Sequence, residues 1–588
     1  MGAPSNALPY TAPSLVVILI LASYLLLLTV FYHGFQWLFS AGIIGPLVLG
    51  AIYARPLGNI LPEEVQSAVL AIGYLGLLLL IVQGGLESRM DILSSPKNLA
   101  MAFLVGTTGI IMPIGISMAL LPLGFGFGYL ESFAVGSALA STSLGTTFAV
   151  LNTFNGASSP AAAEEEHDGS LEESGIANTR IGTILVGAAL LDDIIGLVIT
   201  SVIVSLGSST TASVSEAATI SSIAPWTIAR PIVSSFLLIL VSWLLTQFAL
   251  APLGRRFIIP VLVRAMRVSR AAPLDGGSSA QPRLRVTQEA LKRLHDKPGL
   301  QQLIATTLLV SLVLAYCVIS EEIGSSNLIG AFCAGAVMKY LYSLYATLGT
   351  SGTGPNDHKR HSWSPDFLLS SKTALGVVQD TILVPFFFSS IGSAVPVKSM
   401  FEGKTVWRGV IFAGLMAFAK VCGGAWVLLA DVIERQQSGR LSSKQKLENR
   451  EQADQVNNDS ARTAASMEMQ PRQEQAASGP LSSPSAGGAG DAPSDNGSSV
   501  PVVLQQPLVW PAALFLGTAL MSRGEIGFLI VNVANQGGLI GQEAFNVGIW
   551  AITLNTLAGP MAIGILMRSQ HGLNILGRAP NSHLGRWS

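Results

Sequence analysis

About thirteen runs of roughly twenty predominantly apolar residues divide this chain, and they restrict its fold more than any other feature. A helix of about twenty apolar residues crosses the hydrocarbon core of a bilayer and satisfies its own backbone hydrogen bonds there. Only 12% of the residues are charged, against about 25% in a typical soluble domain. The sequence therefore predicts an all-α polytopic membrane protein. The predicted spans are 13–32, 36–55, 65–86, 99–122, 129–154, 180–206, 229–253, 299–320, 325–348, 373–397, 406–432, 507–533 and 543–568.

The loop between the seventh and eighth predicted spans, residues 254–298, is strongly basic. Because Lys and Arg concentrate in cytosolic loops, we expect this loop in the cytosol. An odd number of spans then puts the N-terminus outside and the C-terminal tail, 571–588, in the cytosol. The loop at 155–179 would share the cytosolic side although it is acidic, and acidic residues weigh little in this rule. The basic residues of the loop are Arg255, Arg256, Arg264, Arg267, Arg270, Arg283, Arg285, Lys292, Arg293 and Lys297.

Residues 433–506 differ in composition from the rest of the chain. They are rich in Ser, Gly, Pro, Gln and Asp and almost free of aromatic residues. Such a segment buries too little apolar surface to offset the entropy of ordering it. We expect a disordered cytosolic insert, which is more often a linker than a regulatory platform. It would separate a first membrane part, 1–432, from a second, 507–570.

Two adjacent aspartates, Asp192 and Asp193, interrupt the apolar stretch GAALLDDIIGLVIT. An acidic side chain at the centre of a membrane helix costs about 2.5–3.5 kcal/mol on insertion scales, which favours a functional role. A helix N-cap is the alternative, but the apolar residues from Ile181 to Leu191 already make about three turns. Two carboxylates so close in a low dielectric cannot both be ionised cheaply. A carboxylate that holds either a proton or a cation is the minimum that an ion-for-proton exchanger needs.

Lys420 lies in the middle of another apolar run, GVIFAGLMAFAKVCGGAW. A snorkelling lysine is the alternative to a paired one, but this position is too deep for the side chain to reach the membrane surface comfortably. We therefore expect Lys420 to pair with one of the two aspartates, because an isolated buried ammonium is unfavourable. One lysine for two acids leaves one carboxylate for the transported ion.

Small, polar or charged residues interrupt two apolar spans, at 137–151 and 517–532. Interrupted helices of this kind place free backbone groups at the midplane of transporters. The first interruption contains Ser141, Thr142 and Ser143, whose oxygens suit a hard cation, although hydroxyls bonding to the preceding helical turn are the commoner explanation for such a run alone. The order of broken, Asp-bearing and Lys-bearing spans predicts an inverted repeat, with spans four to six mirrored in eleven to thirteen and two broken helices crossing.

Other reactive residues give little indication of function. The cysteines, Cys317, Cys333 and Cys422, lie inside apolar runs without CxxC spacing and are expected to be small buried residues rather than disulfide or zinc sites. His358 and His361 would sense cytosolic pH or, more commonly, be simply solvated. No nucleophile–base spacing predicts an enzyme or a cofactor. The net charge of −1 gives no affinity for nucleic acid.

Six motifs in this order resemble the sodium/hydrogen exchanger superfamily of monovalent cation:proton antiporters, on the branch with a paired-aspartate motif. They are GLLLLIVQGGLE (76–87), ASTSLGTTFAVL (140–151), LLDDIIGLVI (190–199), LIGAFCAGAVM (328–338), ILVPFFFSSIG (382–392) and SRGEIGFLI (522–530). The resemblance covers essentially all the spans and implies a transporter with an inverted-repeat fold. It also implies a homodimer in which a core domain moves against a dimerisation domain.

The resemblance implies a role for each candidate residue. Asp193 would carry Na+ or H+, and Asp192 would form the salt bridge to Lys420. Thr142, with Ser141 and Ser143 beside it, would lie next to the ion. Arg523 and Glu525 would hold the ends of the second broken helix. More than one proton per cation and sensitivity to voltage are further implications.

Several other transport functions are alternatives to sodium/proton exchange. Potassium/proton exchange is the nearest, but potassium-selective branches more often carry Gln-Asp where this chain has Asp192 and Asp193. An ion channel would need no proton-exchanging carboxylate and would more often show a filter motif such as TVGYG, which is absent. A transporter of organic anions would favour a site without two acids.

Overall fold

The computed structural model of the chain describes residues 12–39, 41–87, 96–143, 180–212, 225–250, 252, 298–349, 369, 373–437 and 509–568. Regular structure within these ranges is helical. Nine of the described helices are long and apolar enough to cross a membrane, and two shorter apolar helices, Ile44–Tyr53 and Trp510–Ala519, accompany them. Each of the predicted spans overlaps a helix. The all-helical membrane fold is therefore confirmed, while the number of spans stays a prediction.

The helices of the first half follow the apolar runs closely. Their bounds are α1 Leu15–Phe39, α2 Ile44–Tyr53, α3 Glu63–Glu87, α4 Pro96–Leu120, α5 Tyr129–Ala138, α6 Arg180–Ala212 and α7 Pro225–Leu244. Both α4 and α7 continue into a π-helical turn, Leu121–Phe125 and Leu245–Leu250.

The helices of the second half contain more interruptions. Their bounds are α8 Pro298–Ile323, α9 Asn327–Gly349, α10 Ala374–Ala394, α11 Gly403–Val421, α12 Trp510–Ala519, α13 Glu525–Gln536 and α14 Gln542–Arg568. A π-helical turn, Gln379–Leu383, lies within α10. After α11 a 3-10 turn, Cys422–Gly424, leads into a further helix over 425–437.

The chain divides into two units, one of Met1–Trp426 with Pro511–Ser588 and one of Val427–Trp510. In the second unit the helix continues to residue 437, past the predicted start of the insert. The rest of the insert, 438–506, lies outside the described residues. The loops 155–179 and 254–297, His358, His361 and the tail 571–588 also lie outside them.

Close packing in the first unit depends on glycines that let helix backbones approach each other. In α3, a Cβ on Gly85 would meet the carbonyl oxygen of Phe332 in α9. From α9, a Cβ on Gly335 would in turn meet the carbonyl oxygen of Val82. Gly392 of α10 lies in the same way against the carbonyl oxygen of Leu47 in α2. These contacts lock α2, α3, α9 and α10 into one group of helices.

A second group of helices surrounds the two interruptions predicted from the sequence. Helix α4 packs along α6, and α11 packs along α14. Helix α13 fits between α5 and α6. Large apolar side chains elsewhere point outward, as Trp37 in α1 and Phe248 after α7 do. Such side chains suit a lipid environment, so the helices that carry them face the bilayer. The second group of helices encloses polar residues instead.

Candidate ion-binding site

Two interrupted segments of the chain meet inside the second group of helices. Helix α5 ends at Ala138, and α12 and α13 are separated by residues 520–524. The backbone N–H of Ser143 donates to the carbonyl oxygen of Ser522 at 3.0 Å. A Cβ on Gly524 would lie 2.6 Å from Cβ of Ser143, so only glycine fits there. The continuation of the fifth predicted span, 144–154, lies outside the described residues.

Arg523 joins the two interruptions. Its side chain is fully buried, and Nη1 donates to the carbonyl oxygen of Ser141 at 2.9 Å. In α14 the Thr556 hydroxyl donates to the Arg523 carbonyl oxygen at 3.1 Å. Glu525 is the first residue of α13, where an acidic side chain interacts favourably with the helix dipole. Arg523 thus contacts the first interruption through its side chain and α14 through its backbone carbonyl.

Asp192, Lys420 and Thr142 form a buried hydrogen-bonded triangle beside these interruptions. Lys420 Nζ lies 2.7 Å from Asp192 Oδ2, and neither side chain is exposed. The Thr142 hydroxyl donates to the same carboxylate oxygen at 2.7 Å and accepts from Lys420 Nζ at 2.9 Å. It also lies 3.4 Å from the carbonyl oxygen of Leu520. The triangle thus connects α6, α11 and both interruptions.

The second aspartate has a different environment from the first. Asp193 is half-buried, and its charge interacts with that of Lys420. Neighbouring residues on a helix point about 100° apart, so the two carboxylates leave α6 in different directions. Oδ1 of Asp192 is buried without a hydrogen-bond partner among the described residues, and so are Nε and Nη2 of Arg523. The site therefore combines two acidic side chains with the basic side chains of Lys420 and Arg523. Some of their polar atoms can form a further hydrogen bond.

Gly109 of α4 is a neighbour of the triangle that was not predicted from the sequence. A Cβ at this position would lie 3.2 Å from Lys420 Nζ and 3.7 Å from Asp192 Oδ2. One turn earlier, a Cβ on Gly106 would lie 2.9 Å from Cδ2 of Leu191. Small residues spaced along an apolar helix were the only available signal, and many helices of this chain contain them.

The remaining candidates that the structure describes do not form a second site. Among the described residues, no group of three or more His, Cys, Asp or Glu side chains is arranged to hold a metal ion. The three cysteines form no disulfide, and Cys333 is buried. The two aspartates with Lys420 and Thr142 are thus the strongest site in the described part of the chain.

Comparisons with known proteins point to one family. The family model for the transmembrane region of sodium/hydrogen exchangers matches residues 17–268 and 286–452. A probable Na+/H+ antiporter of Bacillus cereus, GerT, is 24% identical over 385 residues, which cover 65% of this chain and 72% of that protein. The high-affinity Na+/H+ antiporter NhaS3 of Synechocystis is 30% identical over 154 residues, 25% of this chain and 28% of that protein.

A solved structure is also similar over most of the chain. It is that of the sodium proton antiporter MjNhaP1 from Methanocaldococcus jannaschii, with a TM-score of 0.49 and 14% sequence identity. The alignment covers 95% of this chain and 99% of that one.

Proposed function

This chain belongs to the sodium/hydrogen exchanger family, and from that premise we propose that it exchanges Na+ for H+ at the site formed by Asp192 and Asp193. The family resemblance seen in the motifs is confirmed, and the chain is a transporter rather than an enzyme. The names of both relatives refer to Na+/H+ antiport, which supports Na+ as the cation. K+ is the alternative that the experiment below separates from it.

The buried ion pair of Lys420 and Asp192 is the observation that carries this proposal. Two charges without solvent exposure carry a large desolvation penalty, and well-packed apolar residues often stabilise a fold as well or better. Charged residues inside a membrane protein are by default functional. A lysine and two acids at crossing chain interruptions form a site in which charge can be exchanged.

Competition between a proton and a cation for one carboxylate would couple the two fluxes. In the proposal Asp193 binds Na+ as a carboxylate and is neutral when protonated. The hydroxyl and carbonyl oxygens of Ser141, Thr142 and Ser143 would complete the oxygen ligands that a hard cation prefers. The carboxylate holds only one of the two ions at a time. Na+ therefore binds only after the proton has left, and a proton binds only after Na+ has left.

Asp192 and Lys420 would serve as the charge-compensating pair. When Na+ approaches the two aspartates, Lys420 is repelled, and its bond to Asp192 weakens. The family resemblance implies more than one proton per cation, and Asp192, once released from Lys420, would be the carboxylate that carries the second proton. Arg523 and Glu525 would keep the chain interruptions in place while the occupancy changes.

Alternating access would expose this site to each side of the membrane in turn. The helices around the interruptions would move against the group of α2, α3, α9 and α10, whose helices are packed closely through glycines. We expect the N-terminus outside, the C-terminus in the cytosol and two copies in the working unit. Epitope tags at both ends, probed on intact cells, and cross-linking in membranes test these expectations.

Transport in proteoliposomes tests the exchange directly. The native chain, Asp193→Asn and Asp192→Asn would be reconstituted with a pH dye inside, and Na+ or K+ would be added outside. Asp431→Asn is the matched control, since this aspartate is paired with Arg435, four positions further along its own helix. We expect Na+ to alkalinise vesicles with the native chain and the control, and not those with Asp193→Asn. A flux through Asp193→Asn equal to that of the native chain would refute the assignment. A response to K+ alone would identify K+ as the transported cation.

A further inference from the structure

We propose that the backbone carbonyl of Gly109 is the acceptor that holds the Lys420 ammonium when a cation displaces it from Asp192. Gly109 is then a positioning residue of the exchange, acting through Lys420. This inference rests on the proposed function, because it gives the lysine a second position in the same cycle.

The first observation is the close approach of α4 to the ion pair. Gly109 is buried, and the space where its side chain would be lies 3.2 Å from Lys420 Nζ and 3.7 Å from Asp192 Oδ2. The backbone of α4 is therefore next to the ammonium group with nothing between them. A larger residue would separate the lysine from this backbone.

The second observation is a proline one turn further along α4. Pro113 lies inside the helix and is buried, as Gly109 is. In a regular helix the carbonyl of residue 109 would accept a hydrogen bond from the N–H of residue 113. Proline has no N–H, so this carbonyl lacks its usual partner. Positions four apart share one face of a helix, so the released carbonyl lies on the face that contacts the ion pair.

A second helix of this chain shows how such a carbonyl is used. Pro231 lies inside α7, and four residues earlier the carbonyl of Thr227 has lost its helical donor in the same way. This carbonyl accepts a hydrogen bond from the Ser205 hydroxyl of α6 at 3.0 Å. A proline in a membrane helix of this protein thus gives a backbone acceptor to a neighbouring helix.

Lys420 has the capacity for this additional bond. An ammonium group has three protons to donate. In the structure Nζ donates to Asp192 and to Thr142, which accounts for two of them. When a cation occupies the carboxylates, the bond to Asp192 is weakened, and a buried ammonium needs a replacement acceptor. The carbonyl of Gly109 belongs to the stretch of backbone beside Nζ, is uncharged and cannot take the proton, so it would hold the lysine in its charged form.

Restoring the missing N–H tests the proposal. Pro113→Ala returns the helical donor to the carbonyl of Gly109 and leaves every side chain of the site unchanged. Pro231→Ala makes the same change in α7, away from the ion pair, and is the matched control. In proteoliposomes we expect Pro113→Ala to raise the KM for Na+ about tenfold, the effect of losing one hydrogen bond to a charged group. The maximal rate should be nearly unchanged, and Pro231→Ala should keep the native KM.

Other patterns would overturn the proposal. An unchanged KM for Pro113→Ala, or a lower maximal rate with the native KM, would show that the proline only shapes the helix. Pro113→Gly carries the same restored N–H and gives a second test of the KM. Misfolding of both variants while Pro231→Ala folds would assign Pro113 to packing, and the proposal would then be abandoned.

A binding measurement separates this inference from the exchange itself. Na+ raises the melting temperature of a protein that binds it in the folded state, and the dependence on concentration gives an apparent affinity. We expect the curve for Pro113→Ala in detergent to shift to about tenfold higher Na+ than the curves of the native chain and Pro231→Ala. Failure of the native chain to move protons would refute the proposed function. Native transport with superimposable Na+ curves would refute only the role of Gly109.

Discussion

Lys420 and Asp192 are 228 positions apart in the chain, yet Nζ and Oδ2 lie 2.7 Å apart in an environment without solvent exposure. They belong to α11 and α6, which the predicted inverted repeat assigns to opposite halves. The pair is therefore a direct electrostatic connection between the halves. Removing either charge of the pair would leave the other one buried without its partner.

Removal of the lysine alone should destabilise the protein more than removal of the whole pair. Among the described residues, Lys420→Met leaves the Asp192 carboxylate with the Thr142 hydroxyl as its hydrogen-bond donor. Breaking a buried pair in this way costs about 3–5 kcal/mol. The double variant Lys420→Met with Asp192→Leu replaces both charges with apolar groups and should recover most of that loss. Melting temperatures in detergent measure both effects. A double variant as unstable as the sum of the single variants would contradict this account.

The hydroxyl of Thr142 should matter more than its methyl group. It donates to Asp192 and accepts from Lys420, so Thr142→Val removes both bonds while keeping the shape of the side chain. We expect Na+-driven proton flux to fall about tenfold or more, since both bonds involve charged groups. Thr142→Ser retains the hydroxyl and should stay within about twofold of the native rate. Equal rates for the two variants would show that the hydroxyl is not used.

The apolar runs predicted the helices well because a bilayer requires a continuous stretch of hydrogen-bonded apolar backbone. The predicted span 180–206 corresponds to Arg180–Ala212, and the predicted interruption in 517–532 corresponds to the gap between α12 and α13. The ends were less predictable. His33 and Gly34 resemble a boundary, but α1 continues through them to Phe39, and α2 is reduced to Ile44–Tyr53.

The charged residues of the site could be found because each is costly in an apolar run, and opposite signs suggested their pairing. The backbone partners could not be found in that way. Arg523 donates to the carbonyl of Ser141, and every residue of the chain has such a carbonyl. Gly109 has no side chain to mark it, and its contact with Lys420 depends on how α4 lies against α11. Sequence indicates where charge must be compensated, whereas tertiary packing decides which backbone groups take part.

A methyl group at Gly524 should separate the two chain interruptions. Its Cβ would lie 2.6 Å from Cβ of Ser143, closer than real Cβ atoms approach. We expect Gly524→Ala to lower the melting temperature and to reduce transport severalfold. Gly414→Ala in α11 is the control, because no atom of the described residues lies within 4 Å of its Cβ position. Alanine also favours a helix over glycine by about 1 kcal/mol. If both variants behaved alike, the close approach of the interruptions would be unimportant.

Glu131 connects the beginnings of two helices with one carboxylate. Its Oε2 accepts from the N–H of Gly128 before α5 at 2.8 Å, and its Oε1 accepts from the N–H of Gly541 before α14 at 2.7 Å. Glu131→Ala leaves both N–H groups without this partner, and the loss of a cap of this kind costs about 0.5–2 kcal/mol. Glu131→Gln keeps one acceptor oxygen and should lose about half as much.

Glu402 provides the matched control for this prediction. It occupies the N-cap position of α11 without a side-chain capping bond and is exposed. Glu402→Ala should therefore leave the melting temperature unchanged, although it removes the same charge from a helix start. Because α5 and α14 belong to opposite predicted halves, the drop for Glu131→Ala would reflect the separation of the halves at this end. Equal drops for the two alanine variants would instead attribute the effect to charge alone and contradict the connecting role of Glu131.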